Sequence, residues 1–206
     1  MLRLDHVIIA VPDLDAAMED YRVLGFTVIY GGRHASGATH NALICFSDST
    51  YIELLALVEG AQPGNVNSLT AQMLQKGEGL VGYALLSQDF QTDIEALRAR
   101  GVNVSAVSDG GRTRTDGVEL RWRGALVDDG TSPFLIEDVT ARNLRVPDDA
   151  ATVTHANGVT GVAQLEGADL TLMQGGNQTL TGLVLSAPEP RTFDLARTHN
   201  VNLTAV

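Results

Sequence analysis

Lysine is nearly absent from this chain. Lys76 is the only one among 206 residues, and 14 basic side chains face 25 acidic ones, for a net charge of −11. A surface that tracks phosphates needs a dense basic stripe, so neither nucleic acid nor an anionic membrane is expected as a partner. Cysteine is scarce as well, and Cys45 alone cannot form an internal disulfide. Long hydrophobic runs are missing from the opening segment. There, the six residues Val7 to Pro12 are flanked by carboxylates, too short for a spanning helix and too acidic for a signal peptide. These features lead us to expect a soluble, cytoplasmic protein. What the chain does have is apolar material: 44% hydrophobic against 19% charged residues, enough for a core and unlike a disordered chain. At about 150 residues per domain, the length allows one large domain or two small repeated units.

The pattern favours repeated units. Val7 to Val11 is short and β-branched, and Pro12-Asp13 ends it. From Leu14 to Leu24 the apolar residues Leu14, Ala17, Met18, Tyr21 and Leu24 recur at three and four, with Asp13 as N-cap and Gly25 as terminator. Strands are expected at Phe26 to Tyr30, Asn41 to Phe46 and Tyr51 to Val58, with Gly31-Gly32-Arg33-His34-Ala35-Ser36-Gly37 as a loop. That order is β-α-β-β-β. Residues 13–28 align without a gap on residues 89–104, cap aspartate, apolar spacing, terminal glycine and following strand included. The second unit adds strands at Val81 to Ser87, Val118 to Val127 and Phe134 to Val139, the last two separated by the turn Asp128-Asp129-Gly130. The expected boundaries are 3–58 and 80–140, with a short linking helix at Asn65 to Gln75. Residues 148–206 change character. Short runs at Val159 to Leu165, Leu170 to Met173 and Leu180 to Leu185 read as strands, followed by a helical turn opened by Pro190. This β-rich extension is expected to cover the sheet or to pair with a second subunit.

Several segments carry a family resemblance: Leu4-Asp5-His6-Val7, Leu24-Gly25-Phe26-Thr27-Val28, Gly31-Gly32-Arg33-His34, Tyr51-Ile52-Glu53-Leu54-Leu55-Ala56, Gly110-Gly111-Arg112-Thr113-Arg114, Leu120-Arg121-Trp122-Arg123, Pro133-Phe134-Leu135-Ile136-Glu137 and His155-Ala156-Asn157-Gly158. With the paired modules, these resemble the vicinal oxygen chelate superfamily, in its glyoxalase-like branch. The resemblance implies an α+β fold whose paired modules form one curved, barrel-like sheet with helices outside. It also implies metal ligands on the first and last strand of each module. In the first module these are His6 and Glu53. In the second, Gly82 stands opposite His6 and Glu137 is placed opposite Glu53. The implied open site is therefore His6, Glu53 and Glu137 around a divalent ion (Zn, Fe, Ni or Mn), with Glu53 and Glu137 as proton carriers.

Glu53 has its own argument, since a carboxylate in an apolar strand must be paired or bind a cation. The arginines form a second group. Arg112 and Arg114 lie in a Gly-rich loop, Arg121 and Arg123 share one strand face, and Arg33 lies on the first module's loop. Guanidinium forks suit a carboxylate, phosphate or enolate, although the same arginines could pair with the chain's many acids. Trp122, on the other face of that strand, is expected to pack under a helix. His40 joins this substrate-binding set. His34 and His155 read more plainly as structural or surface residues, and Cys45 as packing. The expected function is a metal-dependent isomerase, lyase or ring-opening enzyme on a small, anionic, oxygen-rich molecule, in a homodimer. Alternatives are a metal-free binding protein of the bleomycin-resistance kind, an extradiol-type dioxygenase, and a structural dimer without ligand.

Overall fold

Two aspartates start the two main helices as the repeat requires. In the computed structural model, which describes residues 2–61, 74–75, 77–128, 133–170, 172 and 179–206, Asp13 accepts from the Ala16 N–H at 3.0 Å and opens α1 (Leu14–Val23). Asp89 accepts from the Thr92 N–H at 3.1 Å and opens α2 (Phe90–Ala99). Each cap contributes about 1 kcal/mol. The spaced apolar residues then face inward: Leu14, Ala17, Met18 and Tyr21 on α1, and Phe90, Ile94 and Leu97 on α2.

Eight strands close into a barrel. They are β1 (Arg3–Ala10), β2 (Ile29–His34), β3 (Thr39–Cys45), β4 (Tyr51–Leu57), β5 (Gly79–Leu86), β6 (Ser108–Thr113), β7 (Glu119–Leu126) and β8 (Phe134–Asp138). Their order around the barrel is β1-β4-β3-β2-β6-β7-β8-β5. The two modules meet at two antiparallel seams, β1 with β5 and β2 with β6. The fold class that the family resemblance implies is therefore the observed one.

The second seam corrects the sequence reading. Gly31 to His34 and Gly110 to Thr113 were expected as loops, yet both lie in strands and pair with each other, Arg33 opposite Thr113 and His34 opposite Arg112. Their glycines mark close backbone approach instead of turns. A Cβ on Gly32 would lie 2.1 Å from the Thr113 carbonyl oxygen, and one on Gly111 2.7 Å from that of Leu120. Strand β2 accordingly starts at Ile29 rather than Phe26. The expected strand at residues 102–104 reduces to a single bridge between Val104 and Val127.

Alternation assigns the faces. Val7, Ile9, Ile52, Leu54, Ala56, Tyr83, Leu85 and Leu135 point outward into the main core, under the helices. Ile8, Ala10, Leu55, Val81, Ala84, Leu86 and Ile136 point into the barrel. Two short helices follow, α3 (Arg142–Arg145) and α4 (Ala150–Val153). The remainder forms a separate sheet in the order β11-β12-β10-β9, from β9 (Gly161–Glu166), β10 (Gly182–Ser186), β11 (Arg191–Thr192) and β12 (Leu203–Ala205). Its residues Leu165, Leu183, Leu185, Phe193 and Leu203 enter the same core as the helices, so it covers the barrel's outer side. Pro190 introduces strand β11, not a helical turn, and β12 was not anticipated. The expected linking helix, the turn at residues 128–130 and the strand at residues 170–173 fall largely outside the described residues. Among the described residues no helix is long and apolar enough to cross a membrane.

Candidate functional site

Strand β4 carries Tyr51, Glu53 and Leu55 on its inner face, next to His6 and Ile8 of β1. With residues of β2, β3, β6, β7 and β8 they line a cavity of about 280 Å³ inside the barrel. Glu53 is 7% exposed and sits among donors. Asn41 Nδ2 donates to its Oε1 at 2.7 Å. His6 Nε2 lies 3.4 Å from Oε2, and His34 Nε2 lies 3.5 Å from Oε1. Burial alone would raise the Glu53 pKa, but the His6 hydrogen bond and charge, with His34 and Asn41, bring it down to about 2. For His6, burial alone would lower the pKa. The Asp5 hydrogen bond at 2.7 Å and the Glu53 carboxylate outweigh that and raise it. His34 goes the other way, its pKa lowered by burial against the pull of Glu53, while its Nδ1 meets Thr39 Oγ1 at 2.9 Å. The cavity thus holds a carboxylate at Glu53, with the protonated form favoured at His6 and the neutral form at His34.

Behind His6 lies a buried ionic network. Asp5, fully buried, accepts from Arg145 Nη1 at 3.0 Å and Nη2 at 3.2 Å, and from Arg142 Nη1 at 2.5 Å. Asp138 accepts from the same two arginines, from Arg145 Nε at 2.5 Å and from Arg142 Nη1, shared with Asp5, at 3.1 Å. Arg145 also donates to the Tyr51 hydroxyl at 2.8 Å, and the Tyr51 ring stacks on His6 at 4.5 Å. Despite burial, which opposes its ionisation, Asp5 is held well below the usual carboxylate range by Arg145 and His6. Helix α3, short and uncapped, serves chiefly to deliver these two guanidinium groups.

The register explains which expected ligands fail to converge. Ile8 pairs with Gly82 and His6 with Ala84, so the modules are related with Gly82 as the counterpart of His6, as the alignment requires. Ile8 pairs with Glu53 and its counterpart Ala84 with Phe134, which makes Phe134 the counterpart of Glu53. Glu137 is three positions further on, and an odd shift in a strand reverses the face. It points outward, accepting from the Phe90 N–H at 3.1 Å and from Arg123 Nε at 2.8 Å. Module two therefore offers a glycine and a phenylalanine where module one offers a histidine and a glutamate.

Most of the arginines also lie elsewhere. Arg33 and Arg121 are exposed, Arg123 pairs with Glu137 over the Phe90 ring, and Arg114 pairs with Asp116 at 2.7 Å. Trp122, expected under a helix, faces the cavity, its ring edge-on to His34 at 6.2 Å. The alternation was read correctly, but the inner face was taken for the outer. His40 meets the Tyr30 hydroxyl at 3.4 Å outside the cavity lining. Of the expected substrate-binding residues, only Arg112 lines the cavity. His155 is structural, with Thr27 N–H donating to its Nδ1 at 3.0 Å and Nε2 lying 3.0 Å from the Cys45 carbonyl oxygen. Cys45 is fully buried and its thiol is pushed up to about 12, which suits packing.

Asn41, Tyr51, Asp5 and Arg145 were missed, and His34 was passed over. Asn41 had a signal, a polar side chain within the apolar run Asn41 to Phe46. Gly31 makes room for it, because a Cβ there would lie 2.2 Å from Asn41 Oδ1 and 3.2 Å from Arg112 Nη1. Gly31→Ala is expected to cost about 1–3 kcal/mol through overpacking, read as a lower denaturant midpoint at unchanged slope. An unchanged midpoint would mean that Asn41 relocates freely and does not fix Glu53.

His6 Nε2 and His34 Nε2 approach different oxygens of the Glu53 carboxylate. Among the described residues, no group of three or more His, Cys, Asp or Glu side chains is arranged to hold a metal ion.

A family model described as a glyoxalase-like domain matches residues 4–172. No curated protein matches the chain. Among solved structures, a hypothetical protein from Staphylococcus aureus is similar over 100% of this chain and 99% of its own, at 14% identity and a TM-score of 0.73, which shows a shared fold. Methylmalonyl-CoA epimerase from Mycobacterium tuberculosis is similar over 66% of this chain and 87% of its own, at 26% identity and a TM-score of 0.48. The Streptomyces coelicolor methylmalonyl-CoA epimerase has 27% identity over 68% and 96%, with a TM-score of 0.47.

Proposed function

Because the chain belongs to the glyoxalase-like domain family, we propose that it is an enzyme of small molecules that transfers a proton inside its barrel, with Glu53 as acceptor. The observation behind this reading is the ionised Glu53 carboxylate, buried, facing the cavity and 3.4 Å from His6 Nε2. A substrate with a hydrogen α to a carbonyl gives up that hydrogen as a proton. The C–H bond breaks, an O–H bond forms on Glu53, and the electron pair moves to the carbonyl oxygen. His6 Nε2–H is placed to donate to that oxygen. A pKa near 2 makes the resting carboxylate a weak base. When the substrate oxygen takes over the His6 donor, however, Glu53 loses its strongest stabilising partner and becomes more basic as the proton is needed. Return of the proton from Glu53 to the opposite face of an enolate that has turned in the cavity gives an epimer, return to a neighbouring carbon an isomer, and departure of a β-substituent with its bonding electron pair a lyase product. Tyr51 and the Asp5–Arg145 pair hold His6 in place throughout.

A divalent ion of the kind the family resemblance implies would draw on His6 and Glu53 and would supply Lewis acidity; the proton transfer itself needs only the Glu53 carboxylate and the His6 donor. One observation favours a second reading, a metal-free binding protein: module two carries Gly82 and Phe134 at the ligand positions. Exchange of α-hydrogen with D2O, followed by proton NMR on pyruvate and lactate, distinguishes the two. Protein dialysed against EDTA should still exchange one of these probes. Activity that disappears on dialysis and returns with a divalent metal would overturn the proposed mechanism, and saturable binding without exchange would favour the binding protein.

A further inference from the structure

Asp5 and Asp138 pair with Arg142 and Arg145, Glu53 lies beside His6 and His34, and Asp109 lines the cavity at an exposed position. Arg112 is set apart from these pairs and is 4% exposed. Its Nη1 donates to the Gly31 carbonyl oxygen and its Nη2 to that of Arg145 at 2.7 Å, and it pairs with no carboxylate among the described residues. A guanidinium carries five N–H donors, so those two bonds leave others unspent. An unmatched buried cation is costly, and it is retained where an anion comes to it. Beside it is a second unsatisfied group. Asn41 Oδ1 is buried without a hydrogen-bond partner, its amide nitrogen being committed to Glu53. This oxygen and Arg112 Nη1 lie near each other, 2.2 and 3.2 Å from where a Cβ on Gly31 would be, and both residues line the cavity. Arg112 thus lacks a carboxylate partner and Asn41 Oδ1 a hydrogen-bond donor, close together.

We propose that the cavity binds a small 2-hydroxy carboxylate, its acid group on Arg112 and its hydroxyl donating to Asn41 Oδ1. This rests on the reading of the cavity as a small-molecule site and adds the ligand's chemical class. The carboxylate supplies the missing charge and the hydroxyl the missing donor, and in a 2-hydroxy acid the two groups sit on neighbouring carbons. Propionate has only the first and propane-1,2-diol only the second. Phosphate also suits a guanidinium fork but lacks a hydroxyl on a neighbouring carbon, so it tests the hydroxyl contact.

Trp122, the chain's only tryptophan, lines the cavity, so its fluorescence reports occupancy directly. Full-length protein is titrated with lactate, propionate, propane-1,2-diol and phosphate at matched ionic strength. Lactate should give a saturable change, propionate should bind about tenfold more weakly, and the diol should give no saturation, as expected for losing a hydrogen bond and an ion pair in turn. Arg112→Gln should weaken lactate about tenfold or more. Since Arg112 also ties β2 to α3, Arg112→Lys is the second variant: it keeps the charge, loses the fork, and should bind lactate several-fold more weakly than wild type. The inference is overturned by no saturable response to lactate, by phosphate binding more tightly than lactate, by equal binding of diol and lactate, or by Arg112→Lys matching wild type. Glu53→Gln separates the two readings. It removes a negative charge from the cavity, so lactate should bind it at least as well as wild type. Lactate binding without exchange in wild type defeats the proton-transfer reading alone, and exchange of pyruvate without lactate binding defeats this inference alone.

Discussion

Glu53→Gln is expected to slow α-hydrogen exchange by about 10²–10⁴-fold, the usual contribution of a positioned general base and about 2.7–5.5 kcal/mol of barrier. The substitution keeps the size and shape of the side chain, and a glutamine oxygen still accepts from Asn41. What it removes is the anion between His6 and His34. His6 then has only Asp5 to hold its proton, and its pKa moves back toward the ordinary histidine value. The residual rate should therefore show a shifted pH dependence as well as a lower maximum. Glu137→Gln serves as the contrast, since Glu137 faces Arg123 and the start of α2. Its exchange rate should match wild type. An exchange rate for Glu53→Gln within about threefold of wild type would be too small for a general base and would sink the assignment.

The fold was legible because its signals are local and doubled. Asp13 and Asp89 cap helices whose apolar spacing and terminal glycines coincide, so each copy of the module corroborated the other. The seam between β2 and β6 was not legible, because Gly31-Gly32 and Gly110-Gly111 carry the composition of a turn. Only the partner strand shows why glycine is needed there: the space is taken by Asn41, Trp122 and backbone carbonyls from elsewhere in the chain. Composition within a window cannot report an atom brought in from outside that window.

The site divided in a similar way. Glu53 stood out because a charge in an apolar strand must have partners, and it has them. His6 followed from the family resemblance. Glu137 was misplaced because alignment of the modules is gapless only through the helix, and a three-residue slip by the last strand reversed its face. Asp5 was hidden next to His6: a carboxylate one residue away in a strand belongs to the opposite face by alternation, yet its oxygen meets His6 Nδ1 at 2.7 Å. Arg145 had no local signal at all, since its partners lie on β1, β4 and β8.

Those partners make Arg145 the residue whose loss should damage the fold most. Arg145→Met keeps length and apolar bulk but leaves Asp138 with Arg142 alone and Asp5 with Arg142 and His6. Removing one partner from a buried ionic network costs about 3–5 kcal/mol, mainly because the charges left behind stay desolvated. In a chain of this size that is about 6–20 °C in melting temperature. The exposed pair Arg197–Asp20, at 2.7 Å but with side chains 43% and 30% exposed, gives the scale for comparison. Arg197→Met should cost less than about 1 kcal/mol. Adding Asp5→Asn to Arg145→Met should recover part of the loss, since the uncompensated charge is what is expensive, and the two changes should not be additive. An Arg145→Met melting temperature within the range of Arg197→Met would show that water reaches Asp5 and Asp138. In that event the low Asp5 pKa would be lost, and with it the buried anion that favours the protonated form of His6 beside Glu53.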